Sequence, residues 1–554
     1  MAFQLSPGVN ISEVDLTTVV PSVATTIGGL AGAFTWGPAN EITIISNETQ
    51  LVDRFGKPDA NTFQTFFTAA NFLSYGSDLR IVRSVGATAK NATANSSATT
   101  VLIENETDYE QNHSSNGTSA FHAKWAGAVG NSIRVEMADS SSYSGWTSYK
   151  AEFDSAPATS TYASQRGASN DELHIIVIDV TGAISGTANT VIEKFGYVSK
   201  ASDAKNSDGT SNYYKDVLNS RSKYIWWAGH LAANWGTAGA VSYTTVATAY
   251  ASTFTGGIDA TPVAANTTTA YGKFANPDAV DVSLLMAGAT TGTTIPNYLI
   301  ALAETRKDCM VFVSPEQDDV VNNSGSESTT VITTAGTYTK SSYAVMDSGY
   351  KYQYDKYNDV YRWVPLNGDI AGLCVRTDNE RDPWFSPAGL NRGVIKNVVR
   401  LAWNPTKAER DELYKAGVNP VVTFPGEGTI LYGDKTLLNR PSAFDRINVR
   451  RLFIVLEKSI TKAARSSLFE FNDEFTRAAF VNIVEPFLRD VQGRRGIYDY
   501  RVVADTTNNT AEVIDQNQFV GDIYIKPARS INFIQLNFTA VRTGVAFEEI
   551  VGRV

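Results

Sequence analysis

Two rhythms of apolar and polar residues run along this chain. "VDVSLLMAG" and "DCMVFVSP" are short apolar runs, and the helix-like "IPNYLIALAETRK" lies between them. Strand, helix, strand with fully apolar strands predicts a buried parallel sheet. "TIGGLAGAFTWGPAN" reads as strand and turn, and "DLRIVRSV" as a further strand. Between these, "TQLVDRFG" and "NTFQTFFTAANFLSYG" follow the helical period, the second with Phe63, Phe66, Phe67, Ala70 and Leu73 on one face. Toward the end, "TKAERDELYKAGV" is helical and stops at Gly417. "RINVRRLFIVLEKSITKAARSSLF" is a long amphipathic helix in which Leu452, Leu456 and Ile460 share a face with Phe453. A further helix starts at Asn472, with Asp473 and Glu474 in its first turn. "GIYDYRVVAD", "DIYIKPA" and "FIQLNFTAV" then read as strands, the last alternating Ile534, Leu536 and Phe538 with polar neighbours.

The middle of the chain has a different texture. From about residue 86, "GATAKNATANSSATT" resembles a linker or exposed insertion, and short strands continue to about residue 165. The strand "ELHIIVIDV", helices around "NTVIEKFG" and "YYKDVLNSR", and the strand "SKYIWWAG" follow. A soft boundary falls at 254–272, and "NNSGSESTTVITTAGTYTKSS" reads as a polar interruption. At the front, residues 9–20 are strand-like with no partner strand nearby in sequence.

Charge narrows the possible partners. The net charge is −10 over 554 residues, whereas a duplex-binding protein carries a basic field. From residue 441 onward there are 15 Lys+Arg against 14 Asp+Glu, so the first 440 residues hold the whole acidic excess. Two cysteines, Cys309 and Cys374, sit in apolar surroundings and read as buried free thiols of a reducing compartment. No apolar run approaches a membrane span, and the first residues lack a secretion signal pattern. The sequons at Asn91, Asn95 and Asn105 therefore read as loop composition.

"GEGTILYGDKT", 426–436, looks at first like a phosphate loop. Asp434 separates Gly433 from Lys435, and the intervening Thr-Ile-Leu-Tyr are strand formers. A phosphate loop needs lysine directly after the second glycine, so the expectation is a strand over 429–432 closed by a Gly-Asp turn. "MAGATTG" lacks the spacing of a dinucleotide fingerprint. The four histidines, His113, His122, His174 and His230, show no metal-ligand spacing, and there is no G-x-S-x-G elbow. Neither catalysis nor any metal or cofactor is expected. Arg450, Lys458, Lys462 and Arg465 fall away from the Leu452/Leu456/Ile460 face. They form either a solvated helix face or a basic strip that docks on an acidic protein surface.

Longer stretches carry a family likeness. "LSPGVNISEVDLT", "AGAFTWGPA", "FGKPDANTFQTFFTAANFLSYGSDLRIVRSV", "YKYQYDKYNDVYRWVPLNGDIAGLCVRTD", "SPAGLNRGVI", "LYGDKT", "FDRINVRRLF", "IYDYRVVADTTNNT" and "YIKPARSINFIQLNF" resemble the tail sheath proteins of T4-like contractile-tailed bacteriophages. The likeness covers 1–86 and 275–554 and is weak across 87–274. It implies a multidomain chain of α/β and α+β character. An inner sheath core would comprise 23–86 plus 275–539, with a β-rich outer insertion at 87–165 and a middle α/β insertion at 166–274. Extended arms would occupy 1–22 and 540–554. It further implies homo-hexameric rings stacked as a helical polymer around a tail tube protein. These contract without nucleotide to drive the tube through the host envelope, with baseplate and tail terminator proteins as other partners. Neither nucleic acid nor membrane is contacted directly. The chain would be assembled in the host cytoplasm and carried in the virion. A related bacteriocin or injection particle is the alternative. Val9, Ile11, Val14, Leu16, Val541, Val545, Phe547 and Ile550 would be exchanged as strands between subunits, and Arg450, Lys458, Lys462 and Arg465 would face the tube. The Asn/Ser/Thr-rich surface of 87–274 reads as outer decoration, or as a hydrolase or surface-displayed binding module.

Overall fold

A computed structural model describes residues 20, 23–94, 101–114, 119–438, 440–532 and 535. Of the two expected arms only Val20 is described, and the eight residues named for strand exchange lie outside the described residues. So does most of the strand expected from residue 533.

A seven-stranded sheet organises the core. Its order is Val418–Asn419, Ala344–Asp347, Met310–Val313, Leu284–Met286, Gly28–Gly32, Leu79–Arg83 and Ile42–Ile45. All neighbours are parallel except the last pair. The 23–86 stretch and the chain after 275 thus build one sheet, with Gly28–Gly32 hydrogen-bonded between strands from each. Both faces are buried, as a parallel sheet requires. Leu284 and Met286 pack with Phe66, Phe72, Ile370 and Leu373 on one face. Leu285 between them packs with Tyr271, Leu299 and Ala303 on the other. Helices Phe63–Leu73 and Asn367–Glu380 lie close together on the first face. A Cβ at Gly368 would sit 2.5 Å from the Thr68 carbonyl oxygen, so only glycine permits that approach.

Arg83 joins this core to the insertion. It is fully buried and donates to the carbonyls of Phe34 (2.9 Å), Gly37 (2.8 Å) and Ala126 (2.8 Å). The insertion itself differs from the expected division at 165/166. Ile133–Asp139 pairs with Glu172–Asp179, and Phe121–Ala126 pairs with Ile225–Trp227. One buried cluster contains Trp125, Val135, Ile175, Tyr214 and Trp226. A cut at 165/166 would leave both sheets and this core in halves, so 87–165 and 166–274 are corrected to one body.

Three local expectations also change. "NTVIEKFG" is not a helix but part of strand Thr190–Ser199, antiparallel to Glu172–Asp179. Its β-branched Thr190, Val191 and Ile192 suit a strand, and the buried Glu172–Asp179 needs a partner on that edge. The polar interruption contains helix Glu327–Thr337, which buries Ser328, Val331 and Ala335. Thr330 and Thr333 hydroxyls are satisfied within the helix by donating back to the Ser326 and Thr329 carbonyls, and the buried face holds a threonine-rich segment helical. The helix expected from Asn472 is capped by Asp473, which accepts from the Thr476 amide at 2.8 Å. The sequon Asn91 lies in the buried strand Asn91–Thr93 and bonds the Ala123 carbonyl at 2.9 Å, so it is no glycan acceptor in this fold.

Asp347 ends one core strand, where burial pushes its carboxyl up to about 8. Ser314 and the Gly349 amide donate to it, and the buried Asp369 carboxyl nearby adds to the upward shift. The folded state therefore retains a proton that the unfolded chain releases. This stability is full below the ordinary aspartate range and is lost as pH rises through about 8. Asp347→Asn should flatten the fall of the denaturation midpoint between about pH 4 and 8. An unchanged slope would rule out Asp347 as its source.

Candidate subunit-exchange interface

The C-terminal region has a hydrophobic core of its own. Leu452 and Leu456 of helix Ile447–Ala464 pack with Phe480, Val484 and Leu488 of helix Glu474–Gly493. On these helices lies a hairpin of Ile497–Val503 and Asp522–Pro527. Its inward side carries Tyr500, Val502, Ile523 and Ile525, paired as Tyr500↔Ile525 and Val502↔Ile523. Its outward side carries Arg501, Tyr524 and Lys526. Among the described residues this sheet has only two strands. Each strand therefore turns alternate backbone N–H and C=O groups toward an edge that has no ladder partner among the described residues, which is a template for strand addition.

The chain reaches this region from both ends. Near the front, Thr25 Oγ1 donates to Asp378 at 2.6 Å, and Asp378 is held by both terminal nitrogens of Arg451 at 2.7 and 2.6 Å. Burial alone would lower the Arg451 pKa, but the adjacent carboxylate reverses that and holds it above the ordinary range. The Ala24 carbonyl accepts from Ser283 Oγ at 2.9 Å and Lys458 Nζ at 3.4 Å. Near the end, Ser530 Oγ donates to Asp434 at 2.7 Å. These contacts join residues far apart in sequence, and no spacing rule could have found them.

The basic strip does not form as a strip. Arg450 is 7% exposed, donates to Ser342 Oγ at 2.7 Å, and stacks over Tyr343 and Phe444. Burial lowers its pKa. The first turns of its helix are enclosed nearly all round, from Ile447 to Leu452, so the apolar face alone gave too narrow an estimate of burial. Lys458 is mostly buried and forms an ion pair with Asp281. Arg465 is exposed and pairs with Asp278 at 2.8 Å. Lys462 is exposed.

Nor does 426–436 cradle a phosphate. Gly428–Leu431 is a strand antiparallel to Val421–Phe424. Lys435 Nζ donates to the Tyr414 carbonyl at 2.8 Å, and Thr436 to the Phe444 carbonyl at 3.0 Å. Asp434 forms an ion pair with Arg446 at 3.0 Å. Burial pushes the Cys309 and Cys374 thiols up to about 12 and His122 down to about 4, which removes thiolate or imidazolium chemistry at these positions near neutral pH. Among the described residues no acidic, His or Cys group could hold a metal ion, and no helix is long and apolar enough to cross a membrane.

Three family descriptions match segments of the chain. They are the tail sheath protein Gp18 domain III N-terminal region at 25–83, the phage tail sheath protein central domain at 264–437, and the phage tail sheath C-terminal domain at 439–540. The tail sheath protein of Vibrio phage KVP40 is 34% identical over 691 residues, covering 99% of this chain and 100% of that one. That of Enterobacteria phage T4 is 34% identical over 669 residues, covering 99% of each. The chain belongs to the phage tail sheath protein family. The family is structural rather than enzymatic. The mixed α/β sheath fold is shared with solved sheath tail proteins at low identity. The Listeria innocua protein has a TM-score of 0.55 at 11% identity, covering 92% of this chain and 94% of that one. The Desulfitobacterium hafniense protein has a TM-score of 0.53 at 12% identity, covering 94% and 100%. The helical sheath of the anti-feeding prophage in its contracted state aligns with a TM-score of 0.50 at 14% identity, covering 97% and 99%.

Proposed function

We propose that this sheath subunit polymerises as stacked hexameric rings around a tail tube and contracts to drive the tube through the host envelope. The observation that carries the reading is the two-stranded hairpin at 497–527. Its open edges are a liability to a lone chain and a joint to a polymer. Arms 1–22 and 540–554 of neighbouring copies supply the missing strands. Such a contact is heterologous and does not close along the axis, so it propagates as a tube. The stored energy lies in the lattice, and no nucleotide site is needed. Baseplate and tail terminator proteins cap the polymer, which is assembled in the host cytoplasm and carried in the virion. The phage relatives favour a tail over a bacteriocin or injection particle.

Electron microscopy of the purified chain at high concentration tests this reading. Long hollow cylinders are expected, and a chain that stays monomeric under all assembly conditions would defeat it. Lys462 is the residue of the basic group best placed to meet an acidic tube. Lys462→Glu should weaken co-assembly with tube protein, most at low salt, where charges act over a longer range. Equal co-assembly at low and high salt would reduce Lys462 to a solvated side chain.

A further inference from the structure

We infer that helix Ile447–Ala464 is the common anchor of both arms, with Asp434 and Asp378 as positioning residues that fix where each arm leaves the core. The inference rests on the polymerisation reading and adds to it a mechanical connection inside each subunit.

Two ionic clasps carry the inference, the first partly open on its arginine side and the second enclosed. At the start of the helix, Arg446 meets Asp434, whose side chain is 5% exposed. Further along, Arg451 meets Asp378, where both side chains are nearly enclosed at 4% and 5%. Each carboxylate spends most of its acceptor capacity on the core. Asp434 accepts from Arg446 and Ser386. Asp378 is gripped bidentately by Arg451. What remains of each is given to a residue at the root of an arm. Ser530 donates to Asp434 and Thr25 donates to Asp378. The Asn532 amide, oriented by its surroundings, accepts from Arg446 Nη1 at 2.7 Å and Tyr414 OH at 2.6 Å. Lys458, two turns beyond Arg451, holds the Ala24 carbonyl and Asp281 together.

The arm-side groups are small and polar, while the core-side groups are charged and, except for the half-buried Arg446, enclosed. A charge-assisted hydrogen bond to an ion pair already fixed costs little further ordering, so the arm roots are pinned by a preformed site. Along the helix Arg446 and Arg451 are about 8 Å apart, with Lys458 about 10 Å further on, so a rigid rod fixes the spacing of the two exits. A pull on one arm is thus delivered to the helix that also seats the other. Arg451 and Lys458 thus face the front arm root, while Lys462 on the same helix stays exposed.

The triple variant Thr25→Val, Ser530→Ala, Asn532→Ala tests the inference in the full chain, because it leaves both ion pairs intact. Thr25→Ser with Ser530→Thr, which keeps every hydroxyl, is the control. The triple variant should unfold at the wild-type midpoint, yet need roughly tenfold more protein to form tubules. The tubules that form should show broadened ring spacing, and the control should behave as wild type. Triple-variant tubules with wild-type threshold and spacing would overturn the inference and leave the polymerisation reading standing. A lowered unfolding midpoint would also overturn it, since the contacts would then serve folding. If the wild type itself forms no tubules, the polymerisation reading fails first and takes this inference with it.

Discussion

A chain lacking residues 1–19 is expected to fold, to stay in solution as a monomer, and to form no tubules. The deletion stops short of Val20, which is buried against the body. The seven-stranded sheet, the insertion and the C-terminal helices keep all their described contacts, so the unfolding midpoint should match that of the full chain. The lattice loses one added strand per subunit. About five ladder hydrogen bonds at about 1 kcal/mol each amount to more than a thousandfold in affinity per joint. Every subunit carries the same joint, so the loss repeats along the polymer. Electron microscopy and sedimentation at matched concentration read the outcome directly. Ordinary tubules from the shortened chain would show that its first residues are not lattice connectors.

The second large effect concerns Arg83. Burial lowers its pKa to about 10, so it remains a cation at neutral pH with no carboxylate in direct contact. Its hydrogen bonds go to backbone carbonyls alone, from one stretch of the core at 34–37 and one strand of the insertion. Arg83→Met fills much of the same space but leaves at least three enclosed carbonyls without a donor. A loss of about 3–5 kcal/mol is expected. Because the contacts bridge two bodies, they should loosen relative to each other before either unfolds. The readout is a denaturation curve followed by the tryptophans, six of which (Trp125, Trp146, Trp226, Trp227, Trp235 and Trp36) belong to the insertion or its border. A single transition at the wild-type midpoint would contradict this role.

Much of the core could be read from the sequence. Its strands are short apolar runs such as "MVFV", its helices carry a clear period, and Gly417 ends its helix in the left-handed conformation expected of a C-cap. The failure of 426–436 as a phosphate loop was also legible, since Asp434 stands where the lysine would have to be. Where the reading failed, the deciding information was not local. Thr190–Ser199 is a strand because Glu172–Asp179 lies beside it. The insertion is one body because Phe121–Ala126 finds Ile225–Trp227 a hundred residues later. Arg450 looked outward on a helical wheel, but Ser342, Tyr343 and Phe444 close over it. Aspartates 378 and 434 gave no sign in sequence of holding the arm roots, because an ion pair between distant segments has no period.

Tracing the backbone of an assembled tubule by cryo-electron microscopy tests the central claim most directly. The account predicts a four-stranded sheet built on Ile497–Val503 and Asp522–Pro527, with one outer strand from the front of a second copy and the other from the end of a third. A hairpin that stays two-stranded in the tubule, or is completed by its own chain's ends, would contradict it.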